Sequence, residues 1–422
     1  MQKIHQTQKA GNARLEFQQL AFSDEGSKIR VNFLRLFYFY LDKTDFERIA
    51  KFEIGSNFVK FENIDSKKAG AKFNRLLAKG FLELRNALNG KKTVYVHRNS
   101  GIPLIGNIAF GIVDRNTSLI EVKPFTSCNI KCIYCSVDED KRPVDFVIER
   151  DYLVEELKKL IKLKECGSIE VNIASQGEPT LYAELIPLIK DIKKIKEVKT
   201  ISIFTNSTLL NEKIVDELID AGLNRINISI NAMNPETARK IAGANYSISH
   251  VRKIAEYITG RRDCKFLIAP VWIPGINDSE LDSIAEFVKQ LRQQNEKVSL
   301  GIQNFLNYRF GRNPVKEQPL ELFYKKLKEL EIKHGMKLIA DETEFNIIKT
   351  KKLPSPFKKN EIVKAQLVCI GRLANEAIAV ARNRTISVFG YKGNPGNPDS
   401  QETVKIRILR TKHNIFAGEA VH

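Results

Sequence analysis

The spacing of apolar residues divides the first hundred positions into two parts. Residues 1–29 are polar and show no regular period, so we expect an arm there. The next stretch predicts three helices followed by a β-hairpin around Thr93–Val96. The predicted helices are Val31–Leu41, Asp45–Ile54 and Ser66–Lys79. Three short helices and a hairpin outline a winged helix, so residues 30–100 are predicted to form a small α+β domain, although other small α+β modules share that order.

From residue 119 to residue 348 the pattern alternates between strand and helix. The predicted strands are Leu119–Lys123, Ser168–Ala174, Thr200–Thr205, Arg225–Ile230, Phe266–Ile273 and Val298–Phe305. The predicted helices are Asp151–Leu163, Leu181–Ile195, Glu212–Ala221, Ser247–Thr259, Glu280–Gln293 and Leu320–His334. Repeated β-α units require a parallel sheet. Six units in this length favour an α/β fold built as a partial (β/α)6 barrel.

The last part of the chain predicts a third domain. Residues 351–360 contain two prolines and four lysines and are the best candidate for a linker. Residues 365–422 contain short strands, divided by a loop rich in Gly, Pro and Asn at Lys392–Ser400. Short strands with regular turns favour a small β-barrel of the OB type or a related one.

The charge of the chain is concentrated at its two ends. The formal net charge is +18, of which residues 1–118 and 349–422 carry +9 each, while the residues between them are neutral. A neutral body between basic ends is typical of a catalytic unit held against a polyanion, although solvated surface lysines would give the same count. The chain has no apolar run near the roughly 18 residues of a membrane span. Its first residues also lack the apolar core of a signal peptide, so we expect a cytoplasmic protein.

Three of the six cysteines are clustered directly after the first predicted strand of the α/β region. Cys128, Cys132 and Cys135 follow a C-x3-C-x2-C spacing. Thiolates are suited to iron–sulfur clusters or zinc. Zinc needs four ligands, and no fourth Cys or His lies in this segment. Three ligands on one loop leave one corner of a [4Fe–4S] cluster open. The other three cysteines are isolated in sequence, so no second cluster is predicted.

This spacing at the end of the first strand resembles the radical S-adenosylmethionine (SAM) superfamily, and the resemblance covers the whole middle region. It implies a [4Fe–4S] cluster and SAM as cofactors, and an electron donor such as ferredoxin or flavodoxin. The implied chemistry begins when the reduced cluster gives one electron to SAM bound at its open iron. The resulting 5′-deoxyadenosyl radical then abstracts a hydrogen atom from the substrate, while the barrel excludes water.

Further segments are similar to the SAM-binding motifs of that superfamily. Residues 175–180 resemble its Gly-Gly-Glu motif, in which backbone groups bind the SAM ammonium, but Gln176 replaces the first glycine. The other implied SAM contacts are Gly177 and Glu178 in this motif, Ser229 and Asn231 for the ribose, Ile273 and Gly275 for the adenine, and Tyr134 at the adenine edge. The structural alternatives are a β-α turn, a helix cap and a Pro-Gly turn.

The C-terminal residues resemble the TRAM domain, a small β-barrel found on RNA-modifying enzymes. The resemblance rests on Val368-x-x-Gly371-Arg372 and on the basic segments around residues 382–384 and 404–408. It implies phosphate contacts from Arg372, Arg382, Arg384, Lys405, Arg407 and Arg410. Together the three parts are similar to an uncharacterised archaeal class of radical SAM proteins with a TRAM-like tail.

These patterns favour a radical SAM enzyme that modifies an RNA nucleoside, with tRNA as the expected partner. They assign no catalytic acid or base. One alternative is a radical SAM enzyme that acts on a lipid, a cofactor precursor or a protein. Another is a DNA-binding redox sensor, in which the winged helix binds DNA and the cluster only senses the redox state. The SAM-binding motifs weigh against the sensor, because a sensor has no need of them.

Overall fold

In the computed structural model, buried side chains alternate with more exposed ones along several strands between residues 12 and 42. The structure describes residues 4–9, 11–174, 176–339, 347–391, 393 and 402–421. Ser175 of the predicted SAM motif and most of the predicted loop Lys392–Ser400 therefore lie outside the described residues. The chain forms two compact units, one of Met1–Ile102 with Pro143–Glu149 and one of Pro103–Arg142 with Arg150–His422.

The first unit contains a four-stranded sheet, a six-stranded sheet and one long helix. Their elements are β1 (Ile4–Lys9), β2 (Asn12–Phe17), β3 (Leu20–Glu25), β4 (Lys28–Phe33), β5 (Phe37–Asp42), α1 (Lys43–Glu47), β6 (Phe52–Ile54), β7 (Phe58–Phe61), α2 (Ser66–Leu82), β8 (Arg85–Asn86) and β9 (Lys92–Val96). The strand order of the smaller sheet is β1-β2-β7-β6. The larger sheet has the order β12-β9-β8-β5-β4-β3, where β12 is Val144–Ile148.

The core of the first unit is aromatic. Phe73 on α2 is fully buried, and its ring centroid lies 5.4–6.2 Å from those of four other phenylalanines. These are Phe17, Phe22, Phe46 and Phe61. Helix α2 begins at Asp65, whose carboxylate accepts from the backbone N–H groups of Lys67 and Lys68. The helix therefore covers strands of both sheets with a face of large apolar side chains.

The predicted arm, the first predicted helix and the winged-helix outline are wrong. The second predicted helix, Asp45–Ile54, is right only at its start, since α1 ends at Glu47 and β6 occupies Phe52–Ile54. Three strands occupy residues 4–25, and the segment predicted as helix Val31–Leu41 belongs to the hairpin β4–β5. Its buried side chains recur every second residue, which is the period of a strand. Leu34 and Arg35 make the turn with positive φ angles. The turn lacks the Gly, Asn or Asp that usually marks such a hairpin, and for this reason the hairpin was not predicted from the sequence. The predicted helix Ser66–Lys79 is confirmed as α2.

The second unit is built around a seven-stranded sheet with the order β10-β11-β13-β14-β15-β16-β18. These strands are β10 (Gly111–Asp114), β11 (Leu119–Lys123), β13 (Ile169–Ile173), β14 (Val198–Thr205), β15 (Arg225–Ile228), β16 (Lys265–Ile268) and β18 (Ser299–Leu300). All neighbours from β11 to β18 are parallel, and β10 adds an antiparallel edge. A parallel pair β17 (Val271–Trp272) and β19 (Gln303–Asn304) follows the last two strands. The predicted α/β fold with six parallel strands is confirmed.

Helices connect the parallel strands, as the alternating pattern predicted. They are α3 (Arg150–Lys164), α4 (Leu185–Lys193), α5 (Glu212–Asp220), α6 (Pro235–Ala242), α7 (Ile248–Gly260), α8 (Glu280–Gln294) and α9 (Leu320–His334). Helix α6 was not predicted beyond its initiating Pro235. The side chain of Asn234 accepts from two backbone N–H groups at its first turn, and Gly243 ends it in a left-handed conformation. In the described part of the chain, no helix is long and apolar enough to cross a membrane.

The C-terminal strands form a closed barrel with the order β20-β21-β22-β24-β23. They are β20 (Ile362–Ile370), β21 (Glu376–Ala381), β22 (Arg384–Phe389), β23 (Thr403–Arg410) and β24 (Ala417–Val421). A small barrel was predicted, although its fifth strand was not. Phe357, from the segment predicted as a linker, is buried in the core of the barrel.

The barrel is hydrogen-bonded to the segment that precedes the parallel sheet. Thr385 and Phe416 donate their backbone N–H groups to carbonyl oxygens at positions 105 and 106, over 3.1 and 2.8 Å. The Asn414 amide donates to Asp114, whose carboxylate forms a buried ion pair of 2.5 Å with Lys164 of α3. These long-range contacts explain why the barrel and the sheet belong to one compact unit.

Phe73→Ala should lower the free energy of unfolding by about 3–5 kcal/mol, because it leaves a cavity among four phenylalanines. Leu82→Ala, at the exposed end of the same helix, is the control and should change it by less than about 0.5 kcal/mol. Denaturant titration of both variants measures the difference. Equal effects would show that Phe73 is not the centre of this core.

Candidate active site

A cavity of about 710 Å³ is lined by the loops that follow successive strands of the parallel sheet. These loops meet because the carboxyl ends of parallel strands lie at the same edge of a sheet. The lining includes Cys128, Cys132 and Cys135 after β11, Gly177 and Glu178 after β13, Thr205 and Asn206 after β14, and Ser229 after β15. The three predicted cluster ligands and several of the predicted SAM contacts lie far apart in sequence, and the fold brings them to one cavity.

The loop that carries the three cysteines, residues 124–142, is called the cluster loop below. One side of it is bonded to the end of α6. The backbone N–H groups of Lys131 and Ile133 donate to the carbonyl oxygens of Ala242 and Ile241, both over 2.9 Å. The last carbonyl groups of a helix have no partner within the helix, so the cluster loop satisfies them. A Cβ atom at Gly243 would lie 2.2 Å from the Lys131 carbonyl oxygen, so this approach requires glycine.

The other side of the cluster loop is bonded to a segment that follows β19. The backbone N–H of Arg312 donates to the Cys135 carbonyl oxygen over 2.9 Å. The Arg312 guanidinium donates to Asp138 over 3.1 Å and to Asp140 over 2.6 Å. Asp138 in turn donates its backbone N–H to the Phe310 carbonyl oxygen. The loop is thus fixed by protein contacts on both sides of its cysteines.

Cys128, Cys132 and Cys135 form no disulfide, and all three are partly buried. Burial raises the pKa of Cys132 to about 12 and also raises the pKa values of Cys128 and Cys135. Among the described residues, no three His, Cys, Asp or Glu side chains are close enough to hold a single metal ion. A four-iron cluster binds each thiolate to a different iron atom and so needs ligands spread around a cavity. Three thiol groups on one loop are a donor set that fits such a cluster.

Tyr134 lies between the cysteines and the end of β15. Its hydroxyl hydrogen-bonds to the Cys132 sulfur and accepts from the Asn231 amide over 3.0 Å. The Asn231 side-chain oxygen accepts from the Val271 backbone N–H over 2.8 Å. Asn231 therefore links the cluster loop to β17, and its amide is engaged within the protein. Ser229, the other predicted ribose contact, lines the cavity.

The loop after β13 contacts the cluster loop through Gly177. A Cβ atom at Gly177 would lie 2.1 Å from the Ser127 carbonyl oxygen, so any side chain would separate the two loops. The same oxygen accepts the backbone N–H of Glu178 over 2.9 Å. The predicted SAM motif is consequently held against the residue that precedes the first cysteine.

The Glu178 carboxylate is buried and is used within the protein. It accepts from the backbone N–H and the hydroxyl of Thr180, over 3.1 and 2.6 Å. It also accepts from the Thr205 hydroxyl and the Asn206 backbone N–H, both over 2.7 Å. Burial raises the pKa of Glu178, and these four donors oppose that rise. The carboxylate therefore joins the loops after β13 and β14, which leaves backbone groups as the motif's means of binding a ligand.

The predicted adenine contacts lie to one side of the cavity. Val271 lines it, whereas neither Ile273 nor Gly275 belongs to its described lining. Ile273 is fully buried and donates its backbone N–H to Asn277 over 2.7 Å. Gly275 forms an exposed turn with positive φ and donates its backbone N–H to Asp278. In this structure the segment thus has the Pro-Gly turn that was its structural alternative.

The prediction that Arg372 contacts RNA is wrong. Its side chain is about 1% exposed and its guanidinium lies at the cavity, bonded to the cluster loop. The sequence contained no sign of this, because a basic residue after a glycine in a short turn is usually exposed. The barrel predicted as an RNA-binding tail therefore also contributes to the wall of the candidate active site.

The remaining basic residues predicted to contact RNA fall into two groups. Arg382 forms an ion pair with Glu361 over 2.7 Å and Arg384 is partly buried, with its pKa lowered by that burial. Lys405, Arg407 and Arg410 are exposed on β23. The exposed group remains a prediction, whereas Arg382 and Arg384 contact other parts of the protein.

Sequence reasoning missed several side chains that hold the site together. They are Glu139, Arg142, Thr205, Asn206 and Arg312. Thr205 and Asn206 could have been noticed, because polar residues that directly follow a buried strand lie at the ligand-binding edge of a parallel sheet. The others are charged residues in loops and carry no such signal.

Comparison with known proteins gives a family for the middle of the chain. The model of the radical SAM superfamily matches residues 122–288. Uncharacterized protein MJ0103 of Methanocaldococcus jannaschii is 37% identical over 365 residues, which cover 80% of this chain and 83% of that protein. GTP 3′,8-cyclase of Aquifex aeolicus is 28% identical over 182 residues, 42% of this chain and 55% of the cyclase. The similarity thus spans about half the length of that cyclase.

The solved structures with a similar fold are more distant. Streptococcus suis SuiB bound to S-adenosylmethionine is 16% identical, with a TM-score of 0.41 over 76% of this chain and 71% of that chain. A mutant spore photoproduct lyase is also 16% identical, with a TM-score of 0.40 over 59% of this chain and 79% of that chain.

Gly177→Ala should weaken SAM binding by about tenfold or more, because the added Cβ separates the loop after β13 from the cluster loop. Gly167→Ala is the matched control, since a Cβ at Gly167 meets no atom within 4 Å. Equilibrium dialysis of the iron-loaded proteins with labelled SAM measures the dissociation constants. If both variants bind SAM like the unaltered protein, the contact between the two loops has no part in cofactor binding.

Proposed function

Since the chain belongs to the radical SAM superfamily, whose enzymes use a [4Fe–4S] cluster and SAM, we propose that it modifies a nucleoside of RNA, and of tRNA in particular. When both cofactors are bound they supply a 5′-deoxyadenosyl radical that abstracts a hydrogen atom from the substrate. Cys128, Cys132 and Cys135 would hold the cluster. The backbone at Gly177 and Glu178 and the side chain of Ser229 would contact SAM. A small electron-transfer protein such as ferredoxin or flavodoxin would reduce the cluster.

The observation that carries the RNA proposal is a pair of lysines on the outer face of the barrel. Lys364 on β20 lies directly opposite Lys405 on β23, and both side chains are exposed. Like charges at opposed positions of a sheet destabilise it. Arg407, two residues along β23, lies on the same face and pairs with Glu419 over 3.5 Å, and the exposed Arg410 follows. An arrangement that is unfavourable for the barrel itself is expected where a polyanion supplies the missing negative charge.

The outer part of the cavity supports a nucleoside as the group that enters it. Leu306 and Tyr308 are 43% and 45% exposed there, and the neighbouring Arg309 is exposed as well. The Arg309 guanidinium lies 5.2 Å from the centre of the Phe310 ring. RNA-modifying proteins bind unstacked bases between aromatic, apolar and guanidinium groups, and these residues are of that type. Lys123, whose pKa is lowered by burial, also lines the cavity.

The second candidate function is modification of a free nucleotide or another cofactor precursor. The similarity to proteins named GTP 3′,8-cyclase, which covers about 42% of this chain, favours it. The basic face of the barrel has no role in that function, and this is why we favour RNA. A lipid or protein substrate has no specific support. The DNA-binding sensor required a winged helix, and the strands of the first unit remove its basis.

Two measurements test the proposed function. Anaerobically reconstituted protein given SAM and a reductant should release 5′-deoxyadenosine, and the absence of release would contradict radical chemistry. Mass spectrometry of nucleosides from a strain that lacks the gene should then show one altered tRNA nucleoside. An unchanged tRNA profile together with an altered nucleotide or cofactor pool would favour the second candidate.

Lys405→Glu should change barrel stability and RNA binding in opposite directions. Opposite charges would replace the like pair with Lys364, so the free energy of unfolding should rise by up to about 1 kcal/mol. Binding to tRNA should weaken, and the log–log salt slope should become less steep by about 0.7 for each single-stranded phosphate contact that is lost. Lys213→Glu on α5 is the control for the change of charge and should leave tRNA binding unaltered, while loss of the Lys213–Glu217 ion pair lowers stability by less than about 1 kcal/mol. Unchanged tRNA binding by the Lys405 variant would contradict the proposal.

A further inference from the structure

The turn between β20 and β21, residues 371–375, brings one guanidinium from the C-terminal barrel to the cavity. Arg372 is among the largest fully buried side chains of the described residues. Leu373 and Glu376 line the cavity beside it. Glu376 accepts the Leu373 backbone N–H over 2.9 Å, which fixes the shape of the turn.

Arg372 is bonded to three points on the two loops that would hold the cluster and SAM. One of its terminal nitrogens donates to the Thr126 carbonyl oxygen over 3.0 Å and to the Glu139 carboxylate over 3.3 Å. The guanidinium also donates to the backbone carbonyl and to the side-chain oxygen of Gln176. Thr126 and Glu139 precede and follow the cysteines, and Gln176 precedes Gly177.

The position at which the SAM motif departs from Gly-Gly-Glu is the position that Arg372 contacts. Glycine at residue 176 would lack the side-chain oxygen that accepts from Arg372. Gln176 and Arg372 are therefore a matched pair, one on the parallel sheet and the other on the barrel. The pair accounts for the departure from the motif, and it engages the Gln176 backbone carbonyl as well as its side chain, which leaves the backbone at Gly177 and the Glu178 carbonyl for a ligand.

Arg372 belongs to a buried group of charged side chains beside the cluster loop. Glu139 is shared between Arg372 and Arg142, and Arg142 also donates to the Thr126 carbonyl oxygen over 2.6 Å. All three side chains are buried. Glu376 adds a second buried carboxylate beside Arg372, so the Arg372 guanidinium offsets negative charge close to the loop of thiolate ligands. A buried positive charge stabilises the more negative state of a nearby cluster, which is its reduced state.

We propose that Arg372 is a positioning residue through which the C-terminal barrel becomes a necessary part of the active site. It fixes the loop after β13 against the cluster loop for SAM binding, and it supplies positive charge that favours reduction of the cluster. The proposal depends on the cluster and SAM alone, so it stands or falls separately from the proposed RNA substrate.

The test compares Arg372→Met and Arg372→Lys in the full chain, after iron–sulfur reconstitution and without RNA. The methionine variant should bind SAM about tenfold more weakly, a loss of roughly 1.4 kcal/mol, and its cluster should have a more negative midpoint potential. The lysine variant keeps the charge but loses the planar fork. It should bind SAM as weakly as the methionine variant, while its midpoint potential stays close to that of the unaltered protein.

Arg261→Met is the control for loss of an ion-paired arginine. Arg261 pairs with Asp263 over 3.3 Å and does not belong to the described lining of the cavity. This variant should retain both the SAM dissociation constant and the midpoint potential. The proposal is overturned if the Arg372 variants load iron fully and match the control in both quantities.

Gln176→Ala keeps the test decisive if neither Arg372 variant folds. It removes one acceptor from a partly exposed loop and should leave the barrel intact, as circular dichroism can verify. SAM binding should weaken by about threefold to tenfold, the range expected for the net contribution of one typical hydrogen bond. Unchanged binding in Gln176→Ala would contradict the positioning role, whatever the Arg372 variants do.

Discussion

Two adjacent carbonyl oxygens, those of Thr126 and Ser127, are the points on which the candidate active site depends. The first accepts from the buried guanidinium groups of Arg142 and Arg372, and the second accepts from the backbone of Glu178. Buried carbonyl groups need such partners, and buried guanidinium groups need acceptors. Here the guanidinium groups and the Thr126 carbonyl group supply one another's hydrogen-bond partners. The cluster loop, the loop after β13 and the C-terminal barrel are thereby joined directly before the first cysteine.

This junction makes the C-terminal barrel part of the candidate active site. A barrel attached by a linker could be an independent binding module, but this one shares a compact unit with the parallel sheet and contributes a buried side chain to the cavity. Its outer face remains basic, with opposed lysines at positions 364 and 405. One small domain therefore has two surfaces with separate roles, an inner surface that shapes the cofactor site and an outer one that we propose binds RNA.

The sequence predicted those features that depend on local pattern. The periodicity of apolar residues predicted the six parallel strands and most of their helices. The spacing of the three cysteines predicted the cluster loop. Both patterns are set by residues that are close together in sequence. The hairpin β4–β5 was mistaken for a helix because its apolar residues are nearly continuous and its turn uses Leu34 and Arg35. The burial of Arg372 could not be predicted, since its partners lie 196 and 246 positions away and only the tertiary fold brings them together. Ile273 and Gly275 remain predicted adenine contacts, although neither belongs to the described lining of the cavity.

The central claim is that one cavity holds both an iron–sulfur cluster with an open iron and SAM. The most direct test is electron paramagnetic resonance of the reduced, reconstituted protein before and after the addition of SAM. A ligand bound at the open iron alters the electronic structure of the cluster, so the account predicts that SAM shifts the g-values of a [4Fe–4S]⁺ signal. A spectrum that SAM leaves unchanged at saturating concentration, or the absence of a four-iron signal from fully reconstituted protein, would contradict it.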